Sequence, residues 1–128
     1  MVFIDKETND LSYKIIGCAY NVHKELGPGL LESAYETCLC YELSKIEINY
    51  EKQKGLLIIY KDVTLDCGYR IDILVENKIV IELKTVEKLL PIHTAQIMTY
   101  LKLSNKHLGL LFNFYNANLQ NGIKRYVL

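Results

Sequence analysis

The sequence predicts an α/β protein, α+β in the order of its elements, with a mixed central sheet flanked by helices. Three observations carry this. Two stretches of helical periodicity are separated by Gly27-Pro28-Gly29, and the run YRIDILVENKIVIELK, Tyr69 to Lys84, alternates with the period of paired strands. A helix opened by Pro91 then precedes the short apolar run HLGLLFNF, which suits a buried strand parallel to its neighbour because a helix comes before it.

At 128 residues the chain is long enough for one well-buried core and reads as a single domain over residues 1–128, with no repeat, low-complexity stretch or linker. Half its residues are hydrophobic, and its formal net charge of zero excludes a strongly basic nucleic-acid coat protein. A local basic rim of Lys52, Lys54, Lys84, Lys88, Lys102 and Lys106 stays open, against solvated surface lysines as the default. Four cysteines, Cys18, Cys38, Cys40 and Cys67, show neither CxxC spacing nor a zinc-type histidine cluster, and read as reduced thiols of a cytoplasmic protein. The start MVFIDKETND is polar and acidic, unlike a signal peptide, and no apolar run approaches membrane-spanning length. No membrane association is expected.

Asp10 is placed to cap a first helix running to about Glu25, with Leu11, Ile15, Cys18, Ala19, Val22 and Leu26 at helical spacing. Gly27 suits its C-terminal cap, and Pro28 cannot continue it. A second helix, about Leu30 to Lys45 and antiparallel to the first, carries Leu31, Ala34, Tyr35, Cys38, Leu39 and Glu42 on or near one stripe. EINYEKQKGLLIIYKD, Glu47 to Asp62, reads as one long strand or as a strand broken near Gly55. The third helix spans about Ile92 to Leu103, and LQNGIKRYVL ends the chain with an Asn-Gly turn and an edge strand.

The hairpin carries the chemistry. Side chains alternate between the faces of a strand, so Ile71, Ile73, Val75, Ile79, Ile81 and Leu83 form an apolar core row, and Arg70, Asp72, Glu82 and Lys84 fall in the alternate row. A two-residue loop would pair Asp72 with Ile81 and mix the faces. A three-residue loop, Glu76-Asn77-Lys78, pairs Asp72 with Glu82, Arg70 with Lys84 and Ile71 with Leu83, and keeps the apolar row intact. Opposed carboxylates repel, so a positive group belongs between them, and a hard cation such as Mg²⁺ fits. Lys84 shares Glu82's face and can orient a water or offset charge on a phosphate, while Arg70 can add a phosphate contact. From spacing alone, a surface salt bridge between Lys84 and a carboxylate explains the pattern equally well.

Other residues join by helical spacing. His93, Gln96, Ile97 and Tyr100 share a stripe of the third helix, so Gln96 can reach a water or phosphate if that stripe faces the hairpin. Polar residues simply facing solvent are the plain alternative. Glu32 and Tyr35 share a face near the start of the second helix, and Glu32 is either a third carboxylate for a metal or a favourable charge at a helix N-terminus.

With these residues in hand, the sequence resembles the PD-(D/E)XK nuclease superfamily, and within it the family named for its GxxExxY motif. The matching stretches are GLLESAY (Gly29, Glu32, Tyr35), YRIDILV (Asp72), IELK (Glu82, Lys84), HTAQIMTYL (His93, Gln96, Tyr100) and GLLFNF. Ile71 stands where the superfamily's name has proline. The resemblance implies a restriction-endonuclease-like αβββαβ core and a nuclease acting on nucleic acid, DNA before RNA. It implies that Asp72, Glu82 and the Leu83 carbonyl bind Mg²⁺ or Mn²⁺, with Glu32 as an accessory ligand. Lys84 would then position the attacking water and Gln96 would support it, with Tyr35, His93 and Tyr100 accessory. The competing class is a non-catalytic module that keeps this fold to bind nucleic acid or protein. Its support is the small, neutral surface, which grips a long duplex poorly unless the chain forms a homodimer or joins a larger complex.

Overall fold

The computed structural model describes residues 3–128; Met1 and Val2, which begin the stretch expected not to be a signal peptide, lie outside the described residues. The elements in chain order are α1 (Lys6–Leu26), α2 (Glu32–Lys45), β1 (Tyr50–Gly55), β2 (Ile58–Tyr60), β3 (Val63–Leu65), β4 (Arg70–Val75), β5 (Ile79–Lys84), α3 (Pro91–Ser104), β6 (Leu108–Asn113) and β7 (Ile123–Val127). A mixed sheet of five strands, ordered β1-β4-β5-β6-β7, forms the centre. Among the described strands only β5 and β6 pair in parallel, as the helix between them requires, and β7 closes one edge antiparallel to β6.

Helix α1 starts a turn earlier than Asp10. Asp5 is the cap, its carboxylate accepting the Thr8 amide at 2.7 Å, and Asp10 instead pairs with Lys6 at 2.9 Å on the exposed face. Nothing in residues 6–10 breaks a helix, so the outermost competent cap prevails. Gly27, at φ 66°, ends α1 with its amide on the His23 carbonyl. Helix α2 begins at Glu32, two residues later than expected, and its buried stripe is Tyr35, Leu39, Cys40 and Leu43. Leu31 and Glu42 lie outside that stripe; Glu42 accepts a bond from Asn21 of α1 at 3.1 Å, joining the antiparallel helices.

The chain does break at Gly55, but the residues beyond it do not continue the sheet. Residues 58–65 fold into a separate two-stranded hairpin, Ile58↔Leu65 to Tyr60↔Val63, turning at Lys61 with φ 54°. Its Lys61-Asp62 turn lacks the Asn-Gly or Asp-Gly pair that marks such hairpins in a sequence.

Helices cover both faces of the main sheet. On one, α1 and α2 pack Ile15, Val22, Tyr35 and Leu39 against Ile73, Ile81, Leu83 and Phe112. On the other, Ile97, Tyr100 and Leu101 of α3 pack against Leu74, Val80 and Leu111, with Leu56 alongside. The apolar row of the β4–β5 hairpin therefore does not stay on one face. Ile71 is buried, yet in the cluster under α3 and not with Ile73. The expectation of a single core face is corrected by this second layer, which buries Leu74 and Val80 of the alternate row as fully as the first layer buries Ile73 and Ile81.

Candidate active site

Strands β4 and β5 meet at a three-residue loop, Glu76-Asn77-Lys78, with Val75↔Ile79, Leu74↔Val80 and Ile73↔Ile81 as partners. Glu76 and Asn77 both take left-handed φ, 50° and 53°, which Asn tolerates and which this tight return needs. This is the loop expected to set Asp72 opposite Glu82. Beyond Ile73↔Ile81 the ladder stops. β4 goes on pairing with β1, and β5 with β6, but the two central strands part. The expected ladder pairs Asp72 with Glu82, Arg70 with Lys84 and Ile71 with Leu83 are therefore not formed.

Carboxylates fill the fork. The Asp72 amide donates to Glu82 Oε2 at 2.9 Å, and the Leu83 amide donates to Asp72 Oδ2 at 2.8 Å. Each side chain takes the place of a carbonyl that the diverging partner strand no longer supplies, which satisfies both amides and locks both carboxylates in place. Because N–H and C=O of one strand residue point the same way, the Leu83 carbonyl opens on this same side.

Glu82 is almost fully buried, at 3% exposure. Burial first and the adjacent Asp72 charge second push its pKa up to about 8, against the pull of the Asp72 amide and Lys84. Asp72 is raised as well, by burial, with the Leu83 amide, Lys84 and Gln53 opposing. The repulsion expected of this pair is thus one of the causes that raise the Glu82 carboxyl. Lys84 Nζ does not pair directly with either carboxylate; it donates to Gln96 Oε1 at 2.8 Å, and Gln96 Nε2 donates to Tyr100 Oη at 3.3 Å. Gln96 therefore turns inward from α3, and burial, reinforced by the charges of Glu82 and Asp72 and opposed by the Gln96 bond, raises the Tyr100 hydroxyl.

The remaining sequence candidates take different places. Glu32 stands at the rim, where desolvation raises its pKa and Lys84, Asp72 and the Thr85 amide are its neighbours. Tyr35 is fully buried under the rim. Its hydroxyl donates to the Gly27 carbonyl and accepts the Leu30 amide, and its ring stacks on Phe114 at 4.3 Å. It pins the Gly27-Pro28-Gly29 connection and so fixes where Glu32 begins α2. His93 caps α3, its Nδ1 accepting the Leu90 amide at 2.9 Å, and no bond links it to the carboxylates. Arg70, exposed beside the fork, donates to the Gln53 carbonyl at 3.4 Å.

Two residues at the site were not singled out from the sequence. Gln53 interrupts the β1–β4 ladder opposite Asp72 with a left-handed φ of 51°. Its amide donates to both Glu36 oxygens, at 3.2 and 3.1 Å, and reaches Asp72 Oδ1 at 3.5 Å. Asn113, buried beside Lys84 in the ladder, clamps the exit of β5: its Nδ2 donates to the Val86 carbonyl at 2.8 Å and its Oδ1 accepts the Val86 amide at 3.1 Å. Neither spacing nor composition marks them, because each acts across strands whose register only the fold supplies.

Among the described residues, no three His, Cys, Asp or Glu side chains gather as a cage for a metal ion. The donor set is of a different kind: two carboxylates held in a fork beside a main-chain carbonyl, all hard oxygens. A small hard cation that takes one or two carboxylates and keeps several waters fits it, and a thiolate- or imidazole-seeking metal does not.

Residues 9–126 match a family model described as the PD-(D/E)XK nuclease superfamily. No curated protein and no solved structure matches the chain. No helix among the described residues is long and apolar enough to cross a membrane.

Proposed function

Because the chain belongs to the PD-(D/E)XK nuclease superfamily, we propose that it is a divalent-metal-dependent nuclease of the GxxExxY group, hydrolysing phosphodiester bonds in nucleic acid, DNA before RNA. The observation that carries the reading is the fork itself, in which Asp72 and Glu82 are held by main-chain amides beside a Lys84 oriented by Gln96.

Asp72, Glu82 and the Leu83 carbonyl are the residues to hold Mg²⁺ or Mn²⁺, with Glu32 assisting from the rim. When bound, the ion lowers the pKa of water and offsets the charge that builds on the phosphate. Lys84, an ammonium donating to Gln96, is suited to orient the attacking water and to stabilise negative charge on the phosphate. Gln96 fixes the ammonium, Tyr100 fixes Gln96, and Gln53 and the Leu83 amide hold Asp72. Arg70, at the mouth, is placed to meet a neighbouring phosphate. In the reaction the water oxygen bonds to phosphorus as its proton passes to solvent, and the bond to the leaving oxygen breaks, that oxygen taking a proton from solvent to leave as a hydroxyl. The same reading takes the protein as cytoplasmic with its four cysteines reduced, all of them free in the structure, and acting as a homodimer or within a larger complex where a long duplex is the substrate.

The test is cleavage of labelled single-stranded, duplex and branched DNA and of RNA, in Mg²⁺ and in Mn²⁺. The parent should cut at least one substrate. Lys84→Ala should lose on the order of 10²-fold or more in turnover while keeping its fold and its divalent binding, since a protonated lysine is no metal ligand. A parent that binds nucleic acid but cuts none makes the chain a non-catalytic module. A Lys84→Ala variant as fast as the parent removes Lys84 from its role.

A further inference from the structure

Beside the fork, on the α3 side, lies a cleft of about 250 Å³ bounded by Ile58 of the small hairpin, Tyr69, and Ile92, Gln96, Thr99 and Tyr100 of α3. Its walls carry no charged side chain. They offer apolar surface, two tyrosine rings set edge to face at 6.4 Å and 67°, and hydroxyl and amide groups. Tyr69 is 46% exposed and Ile92 67%, so the cleft is open.

Two of its wall residues belong to the candidate active site. Gln96 holds Lys84 Nζ at 2.8 Å on one side and Tyr100 at 3.3 Å on the other, so the cleft begins one side chain away from the ammonium meant for the phosphate. A nucleotide whose phosphate lies at the fork therefore has its base, or its neighbour's base, within reach of this cleft. An uncharged wall of aromatic faces with hydrogen-bonding groups suits a base and repels nothing on it, whereas a backbone phosphate finds no cation there. Bases inside a duplex are stacked and paired, and cannot enter without being turned out.

We propose that this cleft receives an unpaired base stacked on Tyr69, and that the substrate is accordingly single-stranded nucleic acid or the unpaired arm of a branched duplex. The proposal rests on the nuclease reading for its phosphate position, but its binding test does not need turnover. The small hairpin β2–β3 then has a purpose: with the Leu56 amide bonded to the Tyr69 carbonyl at 2.9 Å, it stands as the outer wall of the base site.

The experiment measures fluorescence anisotropy of three labelled DNAs, a mixed-sequence single strand, a blunt duplex and a duplex with a single-stranded flap, in Ca²⁺ to hold back cleavage, with cleavage measured separately in Mg²⁺. The parent should bind strand and flap at least tenfold more tightly than blunt duplex. Tyr69→Ala should weaken strand and flap by about tenfold, within the range of one lost base–aromatic stack, and leave the blunt duplex unchanged. Tyr69→Phe, which keeps the ring, should stay within about twofold of the parent. Circular dichroism melting checks that each variant folds. Unchanged strand binding in Tyr69→Ala overturns the proposal even if the parent cleaves DNA. Conversely, a parent that cuts nothing but loses strand binding through Tyr69→Ala keeps the base site and loses the nuclease reading. A dimer in sedimentation that Tyr69→Ala dissolves, with strand binding untouched, assigns the cleft to a second copy of the chain and overturns it.

Discussion

Burial and the neighbouring Asp72 charge push the Glu82 pKa up to about 8 in the folded chain, whereas a solvated glutamate titrates near 4.3. The folded state thus binds one more proton than the unfolded state across that window. The stability this contributes is full below about pH 4.3 and is lost as pH rises through the window, with a slope of up to about 1.4 kcal/mol per pH unit. Asp72 shifts in the same direction. Glu82→Gln has no proton to lose and keeps an oxygen for the Asp72 amide, so it should flatten the fall and be more stable than the parent at pH 8. Urea unfolding at pH 5, 6, 7 and 8 measures this, and identical slopes in the two proteins would mean that Glu82 is already ionised in the fold. The same proton must leave for a cation to bind, so divalent affinity should rise with pH up to about 8.

Among the elements, the connection between α1 and α2 depends on one hydroxyl. Tyr35, the last residue of the GxxExxY pattern, reads in the sequence as a neighbour of Glu32, and it acts on Glu32 through the backbone: it bonds Gly27 and Leu30, whose loop delivers Glu32 to the rim. Tyr35→Phe keeps the stack on Phe114 but strips two backbone groups of their partner. It should cost about 1–3 kcal/mol and raise hydrogen exchange at residues 27–31 above that of the α1 core. Exchange unchanged there would mean that Gly27 and Pro28 shape the loop unaided. Further along the chain, Gly122 shows a constraint of the same local kind, since a Cβ on it would collide with the Asn113 carbonyl oxygen. Asn113 in turn clamps Val86 behind Lys84.

For the whole molecule, the fork couples the site to folding. Two carboxylates occupy the place of ladder bonds at the centre of the sheet, so a cation that binds only this arrangement stabilises the entire fold by mass action, by about 2.7 kcal/mol at a hundredfold excess over its dissociation constant. Mg²⁺ or Mn²⁺ should therefore raise the melting temperature by several degrees, and EDTA should reverse the rise. Asp72→Asn, which can still accept the Leu83 amide, should melt at or above the metal-free parent and show no metal shift, because it removes a half-buried charge and a ligand together. A full shift in that variant would place the cation elsewhere.

The α/β class, the Gly27 stop, the three-residue hairpin loop, the parallel β6 and the edge strand are all legible in the sequence, because each depends on period, on a turn residue or on a loop length that is written locally. The same periodicities put Asp72, Glu82, Lys84 and Gln96 on surfaces that could meet. Three-dimensional packing was needed to part β4 from β5 beyond Ile73 and Ile81, to move Ile71 between layers, and to stand Gln53 opposite Asp72. Those outcomes arise where helices cover both faces of the sheet and two side chains compete with carbonyls for main-chain amides. That competition joins residues 10 and 11 apart along the chain across strands held apart by other strands, and no periodicity within either segment records it.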